Sequence, residues 1–357
     1  MLPASCRPPS ASRAMRLHLL LALLLALAVL VAPVAARAGD CDGPPPPAAA
    51  AAGYTKLLFC DGFDDPATID FDAAGCPPAG PCSDREAQGF KWFRAGKPFD
   101  YPATPRAGIS VEGGVLTLDN SANANLAILT TYAREGGGFG GFSTRQRGAY
   151  FEAALSFAAP PQAWLDETRP WYAPWRGRDA LWRAGWPAFW SMDVCHLYGR
   201  CSPYLELDVF EYLSYASDGL DSYTGALHRW LDLDVSGTPC ARSGGGRTGL
   251  PACHQKEQSN HFSIFDKGYL GERGIRRNTL IEVPPGTDWA GRFNAVGMLL
   301  KRGQGLDFSF NDRVHTRNSY AEYPWLAIAD QGDFPVILGS KDWPMRVDWV
   351  RVWGEPE

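Results

Sequence analysis

Beyond residue 53, apolar and β-branched residues occur in short runs of strand-like alternation, separated by Gly, Pro, Asn and Asp. Such runs predict β-strands, and helical periodicity is scarce in the same region. The predicted strands are Lys56–Phe59, Ile109–Val111, Val115–Leu118, Leu126–Thr131, Ala149–Phe157, Ala188–Met192, Leu205–Leu213, Tyr223–Leu227, Phe293–Leu300, Leu306–Phe310, Phe334–Leu338 and Arg346–Trp353. About a dozen short strands with turn residues between them predict an all-β fold of two packed antiparallel sheets.

The N-terminal part of the chain has a different pattern. Arginines precede the apolar run Leu17–Val31, and Ala36-Arg37-Ala38 matches a small-residue cleavage site. These features predict a secretory signal peptide over residues 1–38. Residues 39–53 are rich in Pro and Ala and predict a semi-rigid linker. Residues 54–357 then form one predicted domain, whose length suits a large β fold.

Charge and hydropathy exclude several partners. The net charge is −5, and no basic cluster is interleaved with aromatic residues. We therefore expect no nucleic-acid partner and no binding to anionic membranes. The apolar run near the N-terminus is too short for a comfortable membrane span, and no later stretch approaches about 20 apolar residues. We expect a soluble protein that is secreted to the periplasm or the extracellular space.

Cysteine usage agrees with export. The chain has nine cysteines, and removal of Cys6 with the signal peptide leaves an even number, which favours disulfides in an exported protein. The sequence leaves their connectivity open. The closest couples are Cys76/Cys82, Cys195/Cys201 and Cys240/Cys253, with Cys41 and Cys60 left for each other. Metal binding is the alternative, but the chain has no CxxC motif of the kind that holds zinc.

One predicted strand, Leu205–Leu213, contains three carboxylates, Glu206, Asp208 and Glu211. Acidic residues are poor strand formers and costly to bury, so a strand that contains three of them is unusual. Side chains alternate between the two faces of a strand. Glu206 and Asp208 therefore share a face, whereas Glu211 would point the other way in a regular strand.

A β-bulge would change this arrangement. One extra residue near Val209 and Phe210 returns Glu211 to the face of the other two carboxylates, and bulges are common beside active sites. The two glutamates would then approach the separation of about 5–5.5 Å found in retaining glycosidases. The alternative is an edge strand whose carboxylates face water.

Aromatic residues are abundant, with 13 Trp, 13 Tyr and 18 Phe. Several lie in the Pro- and Arg-rich stretch 158–185, which predicts a long loop rather than a strand. Loops of that length are commonly functional. The aromatic side chains there either stack on a ligand or pack the loop onto the domain, and the sequence does not decide between the two.

Five segments, in order, resemble glycoside hydrolase family 16, the group of laminarinases, lichenases and agarases. The acidic motif Glu206-Leu-Asp-Val-Phe-Glu211 fits the bulged form of the family signature. The other four segments are Phe59-Cys-Asp-Gly-Phe-Asp64, Arg147-Gly-Ala-Tyr-Phe-Glu152, Gly185-Trp-Pro-Ala-Phe-Trp-Ser-Met192 and Met345-Arg-Val-Asp-Trp-Val-Arg-Val-Trp353. The resemblance covers about residues 54–353.

The resemblance implies a fold and a chemistry. The fold is a β-jelly-roll sandwich of two antiparallel curved sheets with a concave substrate cleft. The activity is endo-acting hydrolysis of a β-linked polysaccharide, of the β-glucan or galactan type, by a retaining double displacement. Glu206 matches the nucleophile, Glu211 the general acid/base, and Asp208 the residue between them, which we expect to hydrogen-bond Glu206.

Further site residues follow from the same resemblance. Trp186 and Trp190 match tryptophans of the cleft, and His228 resembles the family's His on the strand next to the acidic one. Trp230 follows shortly after and is a further predicted substrate-binding residue. One departure concerns residue 154, where the family commonly has Arg and this chain has Ala. We expect a polar contact to the substrate to be missing there or to be supplied by Arg145, Arg147 or Arg183.

The chemistry requires no cofactor, but many members of the family bind a structural calcium. Asp348 on the closing strand matches the position of one ligand. The alternative is an Asp that caps a turn or pairs with Arg351. We expect the protein to act as a monomer on a polysaccharide. A transglycosylase would use the same residues, and a non-catalytic, lectin-like binding protein would share the sandwich.

Overall fold

A computed structural model describes residues 41–70, 90–94, 106–119, 125–130, 141–157, 187–193, 204–211, 222–230, 280–282, 284, 287–321, 324–341 and 344–356. The predicted signal peptide, the Trp-rich stretch 158–185, Trp186 and every cysteine other than Cys41 and Cys60 lie outside these ranges. Among the residues described, no helix is long and apolar enough to cross a membrane.

Strands dominate the described part of the chain. They are β1 (Lys56–Asp61), β2 (Ile69–Asp70), β3 (Trp92–Arg94), β4 (Ile109–Glu112), β5 (Val115–Leu118), β6 (Asn125–Thr130), β7 (Phe142–Ser143), β8 (Ala149–Phe157), β9 (Ala188–Met192), β10 (Tyr204–Glu211), β11 (Ser222–Trp230), β12 (Leu280–Glu282), β13 (Asn294–Lys301), β14 (Gly305–Phe310), β15 (Arg313–Ser319), β16 (Asp333–Phe334), β17 (Ile337–Lys341) and β18 (Met345–Gly354). The described residues also include the helix α1 (Pro47–Ala51) and the 3₁₀ helices Pro66–Thr68, Arg106–Gly108 and Pro324–Gln331.

Two large sheets contain nearly all of these strands. The first has the order β15–β14–β13–β8–β18–β5–β4, with β1 also paired to β18. The second has the order β12–β11–β10–β9–β17–β6–β3–β2, and β7 and β16 form a small third sheet. The described pairings are antiparallel except for the short parallel pair β2–β3. One apolar core contains side chains from both large sheets, such as Phe151 and Leu155 from the first and Phe189 and Leu207 from the second. The predicted all-β sandwich is confirmed.

The N-terminal segment packs on the domain. Pro47–Ala51 form α1, in which Ala49 is fully buried against a cluster with Tyr54, Tyr150 and Trp353. Alanine favours the helix, and proline is well tolerated at its first position. The described part of the predicted linker 39–53 is therefore a packed element rather than a spacer, because its small apolar side chains cover part of the first sheet.

A disulfide joins this segment to the first strand. Cys41 and Cys60 are bonded, with 19 residues of sequence separation between them. This pairing confirms the expectation that these two cysteines are left for each other. The covalent link fixes the start of the packed segment against β1. At the end of the segment, the Tyr54 hydroxyl donates to the carbonyl of Leu300 in β13 at 2.7 Å.

The outer face of the first sheet contains a buried ion pair. Strand β8 points Phe151, Ala153 and Leu155 into the core, so Glu152 points away from it. We call this outer surface, defined by Tyr150, Glu152 and Arg351, the back face. Glu152 is 0 % exposed, and its Oε1 lies 2.8 Å from Arg351 Nε. Burial raises the pKa of Glu152 to about 7, and the Arg351 charge limits the rise.

Two further contacts hold this pair in place. Trp353 Nε1 donates to Glu152 Oε1 at 2.9 Å, and the Arg351 guanidinium stacks 3.8 Å from the Trp349 ring centre. Gly297 lies opposite Glu152 in β13, and a Cβ there would come within 2.6 Å of the Tyr150 ring. Glycine is favoured at 297 because any side chain there would overlap the Tyr150 ring and the Ser309 hydroxyl.

Candidate active site

The three carboxylates of β10 lie on one face of the second sheet. The register with β9 and β11 pairs Glu206 with Met192 and His228, Asp208 with Trp190 and Ala226, and Glu211 with Ala188 and Thr224. The register shifts by one residue between Asp208 and Phe210 along β9. Val209 and Phe210 both lie in the core, as two successive inward side chains. This is the predicted bulge, and it brings Glu206, Asp208 and Glu211 onto what we call the site face.

The order of apolar and acidic residues explains the bulge. In a regular strand, Phe210 would point out of the sandwich and Glu211 into its core. Burying a carboxylate among apolar side chains costs several kcal/mol, and exposing a phenylalanine forfeits roughly 2 kcal/mol of burial. One extra inward residue avoids both costs, because Phe210 becomes 0 % exposed and Glu211 stays on the site face.

Burial distinguishes the middle carboxylate from the outer two. Asp208 is 2 % exposed, whereas Glu206 and Glu211 are partly exposed. Burial raises the pKa of Asp208 to about 8, and a side-chain hydrogen bond with Glu211 opposes the rise. The expected hydrogen bond between Asp208 and Glu206 stays a prediction. Two close carboxyl groups in such a site retain a proton near neutral pH.

Apolar side chains lie beside the carboxylates. Trp190 pairs with Asp208 on one side and with Ile337 of β17 on the other. Both apolar residues are buried, at 7 % and 0 % exposure, although neither belongs to the main core. Sequence reasoning identified Trp190 but missed Ile337. No local signal marks Ile337, because only the pairing of β9 with β17 brings this distant strand beside the site.

The remaining predicted site residues have different outcomes. His228 pairs with Glu206, and Trp230 with Tyr204, which places both on β11 at the register of the site face. Trp186 lies outside the described residues. Arg145, a suggested source of the polar contact, has its Nε 3.2 Å from Asp333 Oδ2 at the surface. The structure therefore brings Trp190, His228 and Trp230 to the sheet that contains the carboxylates.

The departure at residue 154 does not affect the site face. Ala154 lies in the middle of β8 in the first sheet, where it pairs with Ala295 and Trp349. Strand alternation turns its side chain toward the back face, on the far side of the core from Glu206. The expectation that this alanine removes a substrate contact is wrong, because the position does not border the site face.

Asp348 lies at a second bulge. The register of β18 shifts between Val347 and Trp349, which makes Asp348 the extra residue. Its carboxyl group is partly exposed, and its pKa is raised by burial and then by Asp64, with Arg346 opposing. Asp64 Oδ1 lies 3.2 Å from the place that a Cβ on Gly114 would occupy. Asp348 and Asp64 are thus near enough for their charges to interact, and the described ranges contain no cluster of three acidic, His or Cys ligands.

Known proteins were compared with this chain at the levels of sequence and structure. No protein-family model matches the sequence, and no curated protein matches it. A solved structure does: β-agarase A from Zobellia galactanivorans has a TM-score of 0.50 and 13 % identity, over 88 % of this chain and 98 % of that one. This chain has a glycoside hydrolase family 16-like fold.

Two further solved structures are similar to this chain. The endo-1,3-β-glucanase from Streptomyces sioyaensis has a TM-score of 0.46 and 17 % identity, over 88 % of this chain and 99 % of that one. The catalytic domain of a laminarinase from Thermotoga petrophila has a TM-score of 0.46 and 12 % identity, over 85 % of this chain and 98 % of that one.

Proposed function

We propose that this protein is an exported, endo-acting glycosidase that cleaves a β-linked polysaccharide with retention of configuration. The observation that carries the proposal is the convergence of Glu206, Asp208 and Glu211 on one face through a bulge in β10. Two carboxylates flanking a third on a sheet surface provide a nucleophile, a proton donor and a group that tunes them.

The chemistry proceeds in two displacements. Glu206 attacks the anomeric carbon while Glu211 protonates the leaving glycosidic oxygen, which gives a covalent glycosyl–enzyme. Glu211 then takes a proton from water, and the water releases the sugar from Glu206. Each step inverts the anomeric carbon, so the product keeps the β configuration of the substrate.

Asp208 supports the proton donor in this scheme. Because burial raises the pKa of Asp208 to about 8, its carboxyl group holds a proton near neutral pH in the hydrogen-bonded pair with Glu211. A shared proton keeps the pair from accumulating two negative charges beside the nucleophile. A proton is therefore available to Glu211, the proton donor, when the substrate binds.

Tryptophans supply the surface for the sugar rings. Trp190 lies opposite Asp208, and Trp230 lies near the far end of β11. We assign substrate contacts to Trp186, Trp190, His228 and Trp230, since aromatic faces suit the apolar faces of pyranose rings and His228 can donate to a hydroxyl.

Export is supported by the Cys41–Cys60 disulfide, since such bonds persist in oxidising compartments. The predicted signal peptide ends just before Cys41, so its removal would leave the disulfide intact. The β-agarase that shares the fold adds agarose to the substrates worth testing. We propose that the protein acts as a monomer.

Two alternatives make different predictions. A transglycosylase forms the same glycosyl–enzyme but passes the sugar to another sugar rather than to water. A lectin-like protein binds glycan without chemistry, and has no chemical need for both Glu206 and Glu211. The retention of both glutamates together with the buried Asp208 favours an enzyme.

An activity screen tests the proposal. The purified protein is incubated with laminarin, mixed-linkage glucan, agarose, carrageenan and xyloglucan, and product size is measured by chromatography. We expect a mixture of oligosaccharides from one polymer, and a loss of rate of several orders of magnitude in Glu206→Gln and in Glu211→Gln with folding intact. Products longer than the substrate would favour the transglycosylase. Binding without cleavage of any polymer would favour the lectin.

We also propose a structural calcium at Asp348 and Asp64. The two carboxylates and the carbonyl of Gly62, which lies 3.8 Å from a Cβ position on Gly114, are oxygen ligands of the kind calcium prefers. The ion would offset the repulsion between the carboxylates. The site lies on β18 in the first sheet, so the ion would stabilise the fold and take no part in the chemistry.

A further inference from the structure

The residue that makes the bulge in β10 possible is held by aromatic side chains. Phe210 is fully buried, with its ring centre 5.0 Å from Tyr223, 5.5 Å from Trp289 and 5.9 Å from Phe157. We call these four residues the aromatic clamp. They come from four segments of the chain, and Phe157 belongs to the opposite sheet, so the clamp joins the two sheets directly beneath the bulge.

At one end of the aromatic clamp, Phe157 and Trp289 are held by contacts of both their rings and their backbones. The Phe157 and Trp289 rings stack with centres 5.1 Å apart, and the backbone N–H of Phe157 donates to the carbonyl of Trp289 at 2.9 Å. The turn that contains Trp289 is closed by Asp288, whose Oδ1 accepts from the N–H of Gly291 at 2.7 Å. Trp289 is therefore fixed through its ring and its backbone.

The other end is anchored at a second register shift. The Tyr223 hydroxyl donates to the carbonyl of Ser309 at 3.2 Å, and the pairing of β14 with β15 shifts between Phe308 and Ser309. Irregular pairing leaves a backbone group in need of a partner, and a buried carbonyl without one is costly. Tyr223 supplies a hydrogen bond to the carbonyl at this shift while its ring packs on Phe210. One tyrosine thus connects the bulge beside the carboxylates with an irregularity in the opposite sheet.

We infer that the aromatic clamp sets the position of Glu211, with Phe210 as a positioning residue for the general acid; this inference rests on the proposed function. Phe210 immediately precedes Glu211, so any rotation of the backbone that releases the ring also moves the carboxyl group. Glu206 lies before the bulge on regularly paired backbone and is not moved in the same way. The clamp therefore acts on acid catalysis more than on nucleophilic attack.

This separation can be measured through the leaving group. A 2,4-dinitrophenolate departs without protonation, so kcat/KM for a 2,4-dinitrophenyl glycoside reports the attack of Glu206 without acid help. The kcat/KM for a phenyl glycoside also needs the proton of Glu211. Displacement of a catalytic group by about 1 Å costs up to about 100-fold in rate. Phe210→Leu removes the ring while keeping the position apolar. Its kcat/KM on the phenyl glycoside should fall about 10- to 100-fold more than its kcat/KM on the dinitrophenyl glycoside.

The matched control is Phe151→Leu. Phe151 is also fully buried and lies on β8, six residues and roughly 20 Å from Phe157. It should reduce both rates equally, in proportion to the folded fraction. Trp289→Phe serves as a second clamp variant that leaves β10 unchanged. It should show the same selective loss on the phenyl glycoside, even where Phe210→Leu folds poorly.

The experiment compares aryl glycosides of the disaccharide that the wild type releases, beginning with laminaribiose and neoagarobiose. Selective loss on the phenyl glycosides in both clamp variants supports the inference. Equal losses on the two leaving groups, as in the control, would overturn it and leave the proposed function standing. A wild type that cleaves neither series nor any polysaccharide would overturn the proposed function, and the inference with it.

Discussion

The side chains of Asp208 and Glu211 are hydrogen-bonded to each other across the bulge in β10. Two residues, Val209 and Phe210, lie between them, and because both point into the core, Asp208 and Glu211 share the site face. Asp208 is buried and Glu211 is partly exposed, so one member of the pair contacts the interior and the other reaches toward solvent. This asymmetry gives the two carboxyl groups different roles.

The first prediction concerns the pH dependence of activity. The pair loses its last proton at a high pH, because burial raises the pKa of Asp208 to about 8 and two close charges repel. Asp208→Asn keeps the shape and removes the second carboxylate. The basic limb of kcat/KM should then move to lower pH, since the remaining acid no longer has a negative neighbour. A limb that stays in place would show that the two groups do not titrate together.

The second prediction concerns the buried pair on the back face. Burial holds the pKa of Glu152 at about 7 in the folded protein, well above its usual value of about 4.3 when unfolded. The folded state therefore binds a proton that the unfolded state releases, and stability falls as pH rises from about 4.3 to about 7. Arg351 limits this loss, since its charge stabilises the carboxylate.

Removing that charge should therefore matter most at high pH. Arg351→Met should cost about 1 kcal/mol more at pH 8 than at pH 5, because the variant must keep Glu152 protonated at pH 8. Urea unfolding at both pH values measures the difference. In the double variant Glu152→Gln/Arg351→Met this pH dependence should vanish. An equal cost of Arg351→Met at both pH values would mean that the pair is not coupled.

The third prediction concerns the N-terminal segment. The Cys41–Cys60 bond closes a loop with 19 residues of sequence separation, for which chain-entropy arguments give about 3 kcal/mol. The double variant Cys41→Ala/Cys60→Ala should lose about that much in the free energy of unfolding. Its kcat at a temperature where it is folded should match the wild type, because α1 packs on the first sheet and the carboxylates lie on the second. A fall in kcat without a fall in stability would contradict this assignment.

The fourth prediction concerns calcium. Millimolar calcium should raise the Tm of the wild type by a few degrees over the value in a chelator, because an ion that binds only the folded state stabilises it. Asp348→Asn should abolish the rise. Asp312→Asn is a suitable control, because Asp312 is an exposed residue in the turn between β14 and β15. Wild type that melts at the same temperature with and without calcium would refute the site.

Much of the fold was predictable where local pattern and burial agree. Ala149–Phe157 and Ala188–Met192 were predicted with the bounds they have, since alternation along them matches one face in the core. The bulge was predictable because the order Val209-Phe210-Glu211 conflicts with regular alternation. In each case, placing a polar residue in the core or an apolar residue in water would cost folding free energy.

Other features depended on tertiary contacts or on backbone chemistry. Strand β15 was missed because Arg313–Ser319 is largely polar and mostly exposed, so it has little apolar alternation. The predicted strand Phe334–Leu338 is split into β16 and β17 around Pro335, which lacks the N–H needed to continue a ladder. The Glu152–Arg351 pair and the position of Ile337 follow from strand order, which local sequence does not determine.

The central claim is that Glu206 is the nucleophile and Glu211 the acid/base of a retaining enzyme. Azide rescue of Glu206→Ala and Glu211→Ala, with a 2,4-dinitrophenyl β-glycoside as donor, tests both roles at once. Azide that replaces the nucleophile attacks once and gives the α-glycosyl azide. Azide that intercepts the glycosyl–enzyme gives the β-glycosyl azide. We predict the α product from Glu206→Ala and the β product from Glu211→Ala, read by NMR; the same anomer from both variants, or the reverse assignment, would contradict the account.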